Sequence, residues 1–406
     1  MKDKGLCIVT VTKKAETSIE KGHPWVYDTE VVNADKRFED GDVVNVVNAK
    51  GRYLGTAFIN RNSKIRLRIF TRNPNEVPDD KFWERRVRYA LELRRSVMGE
   101  QFSCCRLIFG EADSFPGLTV DRFSNVLVVQ ILSLGIERIK ASIFNSLIKV
   151  LGEYGEKIDG IFERNDVKIR ELEGMEQGKG WYTDENIKAY DFTDILITEN
   201  GIQYHVDIEN GQKTGYFLDQ KFNRADVSSF AKGRKVLDCF THTGSFALNA
   251  AKGGAQSVTA VDISQEAIDQ AQRNAELNGL EDKLTFKCEN VFDLLSSMNP
   301  SEGYDFIILD PPAFTKSRGT VDSAIKGYKE INLRAMKLLP KGGLLATCSC
   351  SHFMTDALFR EMLADAASDT GVSLKQLKAS QQAPDHPILW NVPETDYLKF
   401  YIFQIA

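Results

Sequence analysis

Residues 236–262 read VLDCFTHTGSFALNAAKGGAQSVTAVD. The apolar run Val236 to Phe240 has the length of a buried strand, Thr241-His242-Thr243-Gly244 makes a turn, and from Ser245 to about Lys252 apolar residues recur at helical spacing. A second apolar run, Ser257 to Val261, ends on Asp262. Strand, glycine turn, helix, strand and terminal acid form a βαβ unit suited to a nucleoside, with the acid at the end of the second strand able to hold two ribose hydroxyls.

A dinucleotide turn needs three glycines, for the tight turn, the approach of the pyrophosphate and helix packing. Only Gly244 stands here, so a pyrophosphate is poorly served. Asp238 instead sets a carboxylate at the tip of the first strand, next to Phe240, and a carboxylate suits a cationic ligand. S-adenosylmethionine has an ammonium, a sulfonium and a ribose but no phosphate, and it is the cofactor these residues imply. The plainer alternative is a doubly wound sheet with capping acids and no such ligand.

Beyond Val236, strand candidates at Lys283 to Lys287, Tyr304 to Leu309, Gly343 to Cys348, Ser373 to Leu377 and Tyr397 to Ile405 alternate mostly with helical segments, including Gln265 to Asn278 and Gly327 to Leu339. The expected fold is α/β, a doubly wound sheet. Ligands in such sheets bind beyond the carboxyl ends of the strands. The residues there are Ile263, Asn290, Val291 and Phe292, then Asp310-Pro311-Pro312-Ala313-Phe314, then Cys348-Ser349-Cys350-Ser351-His352. Asn290 can pair with an adenine amino group while Ile263 and Val291 or Phe292 flank the ring, although apolar residues there serve equally as core. Two prolines fix φ and remove donors, so the loop aims Asp310 and Phe314 in set directions, as a flat aromatic substrate requires. A rigid turn alone is the competing reading.

A cysteine at the next strand end separates two chemistries. An exocyclic amine attacks a methyl donor unaided, whereas carbon 5 of cytosine is too electron-poor until a thiolate has added to carbon 6. Asp310 would neutralise charge building on ring nitrogen 3. Strand alternation makes Cys348 a packing residue and leaves Cys350 past the strand end, freer to face a pocket. Free cysteines are more often inert and buried, and it is the neighbouring Asp-Pro-Pro that raises this one.

Ahead of the sheet, residues 1–72 read as a small all-β module, 73–188 as an α+β unit and 189–406 as the sheet domain with its lead-in hairpin, Ile197 to Val206 around Asn200-Gly201. The polar, glycine-bearing stretch Gly211 to Gln220 reads as a loop closing over the ligand, which puts Gln220 among the cofactor-binding candidates. Lys64-Ile65-Arg66-Leu67-Arg68-Ile69-Phe70 alternates strictly, placing Lys64, Arg66 and Arg68 on one face, where they can neutralise phosphates or form a solvated face. Residues 1–75 have 14 Lys+Arg against 9 Asp+Glu, a net of +5, while the whole chain is −5. The acidic balance argues against indiscriminate polyanion binding, and an RNA would meet the N-terminal end first. Seven scattered cysteines show neither a disulfide framework nor a zinc spacing, and no metal is expected. No apolar run is long enough for a signal peptide or a bilayer span, so a cytoplasmic protein without membrane contact is expected.

Taken jointly, His23-Pro24-Trp25, Gly110-Glu111 to Asp121-Arg122, Lys213-Thr214-Gly215, Leu218-Asp219-Gln220, the Asp262 unit, Asp310-Pro311-Pro312, Gly327-Tyr328-Lys329, Ser349-Cys350-Ser351 and Asp385-His386-Pro387 make the chain resemble, over nearly its full length, the bacterial S-adenosylmethionine-dependent 23S rRNA 5-methylcytosine methyltransferases of the large-subunit I type. The resemblance implies an N-terminal β-barrel PUA-like RNA-binding domain, a central α+β domain and a Rossmann-like class I methyltransferase domain. It also implies 23S rRNA as partner, allows a homodimer, and makes Cys350 the nucleophile. The chain departs from the family pattern at Asn290, where relatives have an acid. It also lacks a cysteine beside Pro311, which many RNA 5-methylcytosine enzymes use to release the adduct, so the base that takes the carbon 5 proton is unassigned. Two rivals stand beside this reading: an exocyclic-amine methyltransferase using Asp310 and Phe314, and a noncatalytic RNA-binding assembly factor that keeps the donor pocket.

Overall fold

The computed structural model describes residues 5–185, 187–315 and 317–406. They divide into two compact units, Met1–Ile197 with Val206–Leu218 and Pro384–Thr395, and Thr198–His205 with Asp219–Ala383 and Asp396–Ala406.

The first unit contains two sheets. In the N-terminal one, β1 (Cys7–Val11), β2 (Trp25–Val26), β3 (Val31–Ala34), β4 (Val43–Val47), β5 (Tyr53–Ile59) and β6 (Leu67–Thr71) lie in the order β2-β6-β5-β4-β1-β3. Its interior is aliphatic, with Val9, Val11, Val44, Val46, Ala57, Ile59 and Leu67 buried together. The module is not all-β as expected: a helix, α1 (Lys13–Glu20), packs on it. Thr12 caps that helix by accepting from the Ala15 amide, and Ala15 and Ile19 are its buried apolar anchors, too few for the period to be seen in the sequence.

The second sheet, β7 (Cys104–Phe109), β8 (Leu118–Phe123), β9 (Val126–Ile131), β10 (Gly160–Asn165) and β11 (Gly178–Trp181), packs with the helices α2 (Asp80–Met98) and α3 (Leu134–Glu153). Phe58 and Phe70 of the N-terminal sheet join Phe82 and Trp83 of α2 in one aromatic cluster, with Phe58 and Trp83 stacked at 5.9 Å. One core therefore serves both sheets of this unit.

A hairpin, β12 (Asp194–Glu199) and β13 (Ile202–Asp207), turns at Asn200-Gly201, both with positive φ as a primed turn requires. In the second unit the helix α4 (Lys221–Phe230) precedes the large sheet. Its strands are β14 (Lys235–Cys239), β15 (Ser257–Asp262), β16 (Leu284–Cys288), β17 (Phe306–Leu309), β18 (Leu344–Ser349), β19 (Leu374–Ser380) and β20 (Lys399–Ile405), in the order β16-β15-β14-β17-β18-β20-β19. The first five are parallel, and β20 runs antiparallel between β18 and β19. The helices α5 (Ser245–Lys252), α6 (Gln265–Leu277), α7 (Val291–Ser297), α8 (Val321–Leu338) and α9 (Asp356–Thr370) supply the connections. Buried clusters on both faces mark a doubly wound sheet. The strand order reverses at β14, so the crevice for a ligand opens where the carboxyl ends of β14 and β17 lie side by side.

Candidate active site at the strand ends

Asp238, the penultimate residue of β14, is wholly buried. One carboxylate oxygen, Oδ2, accepts from the Thr241 hydroxyl (2.6 Å) and the Ala247 amide (3.0 Å), while Oδ1 has no hydrogen-bond partner. Burial pushes the carboxyl up to about 7, with Asp310 and Asp262 adding to the rise and the Thr241 and Ala247 bonds opposing it. An orphaned buried oxygen on a half-neutralised carboxyl fits a cationic ligand, whose charge would favour the ionised form.

The turn after β14 is strained. Phe240 and His242 both take left-handed φ, 66° and 52°. Gly244 (φ 81°) precedes α5, and a Cβ there would sit 3.0 Å from the Cβ of Ala271 on α6, so glycine allows both the conformation and the close approach of the helix. The strained turn directs the His242 amide to Asp262 Oδ2 (2.9 Å), and Ser264 N–H reaches Oδ1 (3.0 Å). Each Asp262 oxygen keeps a lone pair for a ribose hydroxyl.

Around the candidate adenine position, the three side chains differ in availability. Ile263 is 69% exposed at the end of β15. Asn290 caps α7, its Oδ1 accepting from Phe292 N–H at 2.9 Å, which leaves the amide NH₂ for a ligand. Val291 is buried in the core behind the sheet, so the half-buried Phe292 is better placed than Val291 to meet a ring.

The next two strand ends converge. Asp310 follows β17, and its Oδ1 accepts from the Cys348 thiol (2.9 Å) and the Gln220 amide (3.2 Å). Gln220 also donates to Cys348 Sγ (3.4 Å) and is itself held by Asn223 Nδ2 (2.6 Å). Burial, opposed by the hydrogen bond from Cys348 and helped by the charge of Asp219, leaves the Asp310 carboxyl raised to about 6. Oδ2 of Asp310 has no partner among the described residues. Cys348 lies inside β18, buried, and burial together with Asp310 pushes its thiol well up, so it stays protonated. Cys350 lies one residue past β18 and is half exposed. Tyr328 of α8 backs this turn, its hydroxyl accepting from Ser349 Oγ at 3.0 Å, and Phe314 packs on Tyr328 with ring centroids 4.6 Å apart. Gly327 lets Phe314 approach, since a Cβ there would meet its ring at 3.2 Å.

The basic strand belongs to the first unit, and its residues behave unequally. Lys64 is exposed and precedes β6, which starts at Leu67 rather than at Lys64. Arg66 is half-buried and donates to the Asn60 carbonyl (3.0 Å). Arg68 is only 11% exposed and is held by Glu173 (2.7 Å) and Glu111 (3.5 Å) beside the Trp25 ring. A guanidinium so engaged is a structural cation before it is a phosphate contact. Sequence reasoning gave no role to Tyr328, Asn223 or Lys399, whose positions depend on pairing between distant segments.

No helix among the described residues is long and apolar enough to cross a membrane. Residues 9–72 match the model of a PUA-like domain, and residues 173–397 that of the S-adenosylmethionine-dependent methyltransferases. The chain is 40% identical over 396 residues to a ribosomal RNA large subunit methyltransferase I of Pseudoalteromonas translucida, covering 96% of this chain and 97% of that one. It is 38% identical to the protein of the same name from Klebsiella pneumoniae, covering 98% of each. Among solved structures, a candidate SAM-dependent methyltransferase from Streptococcus mutans superposes with a TM-score of 0.79 at 22% identity, over 98% of this chain and 99% of that one, which shows the shared fold. Another candidate methyltransferase, complexed with SAH, superposes at 0.82 with the same identity and coverage. With this similarity along its length, the chain belongs to the S-adenosylmethionine-dependent methyltransferases, in the ribosomal RNA large subunit methyltransferase I family.

Proposed function

We propose that this methyltransferase acts on carbon 5 of a cytosine in large-subunit ribosomal RNA, with Cys350 as the nucleophile. The observation that carries the reading is the placement of Cys350, just past β18, at the same sheet edge as Asp310, which follows the neighbouring β17 and whose affinity for a proton is raised. S-adenosylmethionine, when bound, supplies an electrophilic methyl group. Asp238 would hold its cationic end and Asp262 its ribose, with Gln220, Phe240 and Gly244 shaping the pocket and Asn290, Ile263 and Phe292 beside the adenine. The Cys350 thiolate adds to carbon 6 of the cytosine and so makes carbon 5 electron-rich. Asp310 meets the charge that builds at ring nitrogen 3: its raised affinity for a proton suits it to share one with the base, and the Cys348 and Gln220 donors leave Oδ2 for that contact. Phe314, stiffened by Pro311-Pro312, lines the base pocket against Tyr328. Cytosine must leave its stack to reach such a crevice, which favours a single-stranded or flipped target. Lys64 and Arg66, in the segment that leads into β6, are its candidate phosphate contacts, with the largely buried Arg68 in the strand itself.

The experiment is methyl transfer to rRNA by Cys350→Ala, with mass spectrometry of the nucleosides. Loss of activity by on the order of 10³-fold or more, and 5-methylcytidine as the wild-type product, are expected. Undiminished transfer would sink the carbon 5 mechanism, and an N-methylated guanosine or adenosine would establish the exocyclic-amine reading instead.

A further inference from the structure

Lys399 is the first residue of β20, set opposite Ser349 of β18 by the antiparallel register. It is 5% exposed. Its Nζ donates to the carbonyl oxygens of Ser351 (2.6 Å) and Tyr397 (2.9 Å), which satisfies two of three N–H groups. Among the described residues no carboxylate lies within ion-pair distance of it. The charged and titratable groups that act on it are Asp396, Cys350, Asp356 and Cys348. Asp356 is engaged by the Tyr401 hydroxyl and Asp396 by the Gln381 amide. Burial pulls the ammonium down to about 8, so it is mostly charged at neutral pH.

A buried cation with no carboxylate partner is costly, and most folds replace it or pair it. Its two carbonyl bonds solvate the ammonium without neutralising it. The nearby group able to become an anion during the reaction is Cys350, whose neighbours on either side, Ser349 and Ser351, are the residues Lys399 faces or holds. Cys348 is unsuited to the part, since its thiol is committed to Asp310.

We propose that Lys399 is a positioning residue for the nucleophile: its ammonium, anchored on the Ser351 carbonyl, fixes the turn that presents Cys350 and stabilises the Cys350 thiolate. The inference rests on Cys350 as nucleophile. Thiolate formation breaks the S–H bond and passes the proton to water, and Lys399 remains an ammonium before and after. A merely structural lysine would hold the turn equally well, but its charge would leave the acidity of the thiol unchanged.

The test is the pH profile of Cys350 alkylation by iodoacetamide in the full-length protein, followed by peptide mass spectrometry. In the wild type the midpoint should lie below the roughly 8.5 of an ordinary thiol. Lys399→Met should move it upward by about one pH unit, so that alkylation at pH 7 falls about tenfold. Lys399→Arg, which keeps the charge, should restore most of the rate, and methyl transfer should follow the same order through kcat with KM for rRNA little changed. An unshifted midpoint in Lys399→Met would overturn the proposal. A wild-type midpoint at or above 8.5 would overturn it even if that variant failed to fold. Full activity of Cys350→Ala would instead remove the nucleophile assignment while leaving the alkylation result standing, so the two failures can be told apart.

Discussion

Two cysteines two residues apart have opposite environments. Cys348 is sealed in the sheet and donates a hydrogen bond to Asp310, while Cys350 has left the strand. Replacing Cys348 with alanine should therefore leave adduct chemistry possible and cost about 1–2 kcal/mol of stability, read by denaturant unfolding, because a buried side chain is truncated. Asp238 is the residue whose titration should be visible. Its folded value, about 7, lies above the ordinary value near 4, so ionisation is disfavoured in the ligand-free fold. That penalty is absent below about pH 4, grows as pH rises and is complete above about pH 7, where it amounts to roughly 4 kcal/mol at most. Asp238→Asn should thus stabilise the ligand-free protein at pH 8, measured by thermal unfolding, while tight S-adenosylmethionine binding is lost. In the wild type the affinity should weaken as pH falls below about 7, with proton release on binding detected by calorimetry in buffers of different ionisation enthalpy.

At the scale of elements, two features join sequence to function. The turn between β14 and α5 stores strain at Phe240 and His242 and allows no side chain at Gly244. Gly244→Ala should destabilise the protein by about 1–3 kcal/mol, since it meets both a left-handed φ and a close contact with α6, and should weaken cofactor binding more than RNA binding. The other feature is β6. Arg68→Ala strips a partner from the buried Glu173 and should cost about 1–3 kcal/mol in unfolding free energy. Lys64→Ala with Arg66→Ala should instead spare stability and flatten the salt dependence of RNA binding. Unchanged salt dependence would make this strand a solvated face.

For the molecule as a whole, ligand occupancy should report on the second unit. A product analogue such as S-adenosylhomocysteine at a hundredfold excess over its Kd should stabilise the protein by about 2.7 kcal/mol, seen as a rise in Tm, and Asp262→Ala should abolish that rise. The sequence by itself determined the βαβ unit: a strand-length apolar run, one glycine turn, a helix matching α5 from Ser245 to Lys252, and an acid at the second strand's end are local signals that need no partner. It also ranked Cys350 above Cys348, because side chains along a strand alternate with period two and the strand's end can be read from its composition. It missed α1, an eight-residue helix whose buried apolar anchors are just Ala15 and Ile19, and it began β6 three residues early. Tertiary structure alone decided the rest: that Gln220 bridges Asp310 and Cys348, that Arg68 is committed to Glu173, that Val291 faces the core, and that Lys399 lies buried behind Ser351. Those facts join residues tens to hundreds of positions apart, and burial and charge pairing are properties of what surrounds a side chain, which local periodicity does not encode.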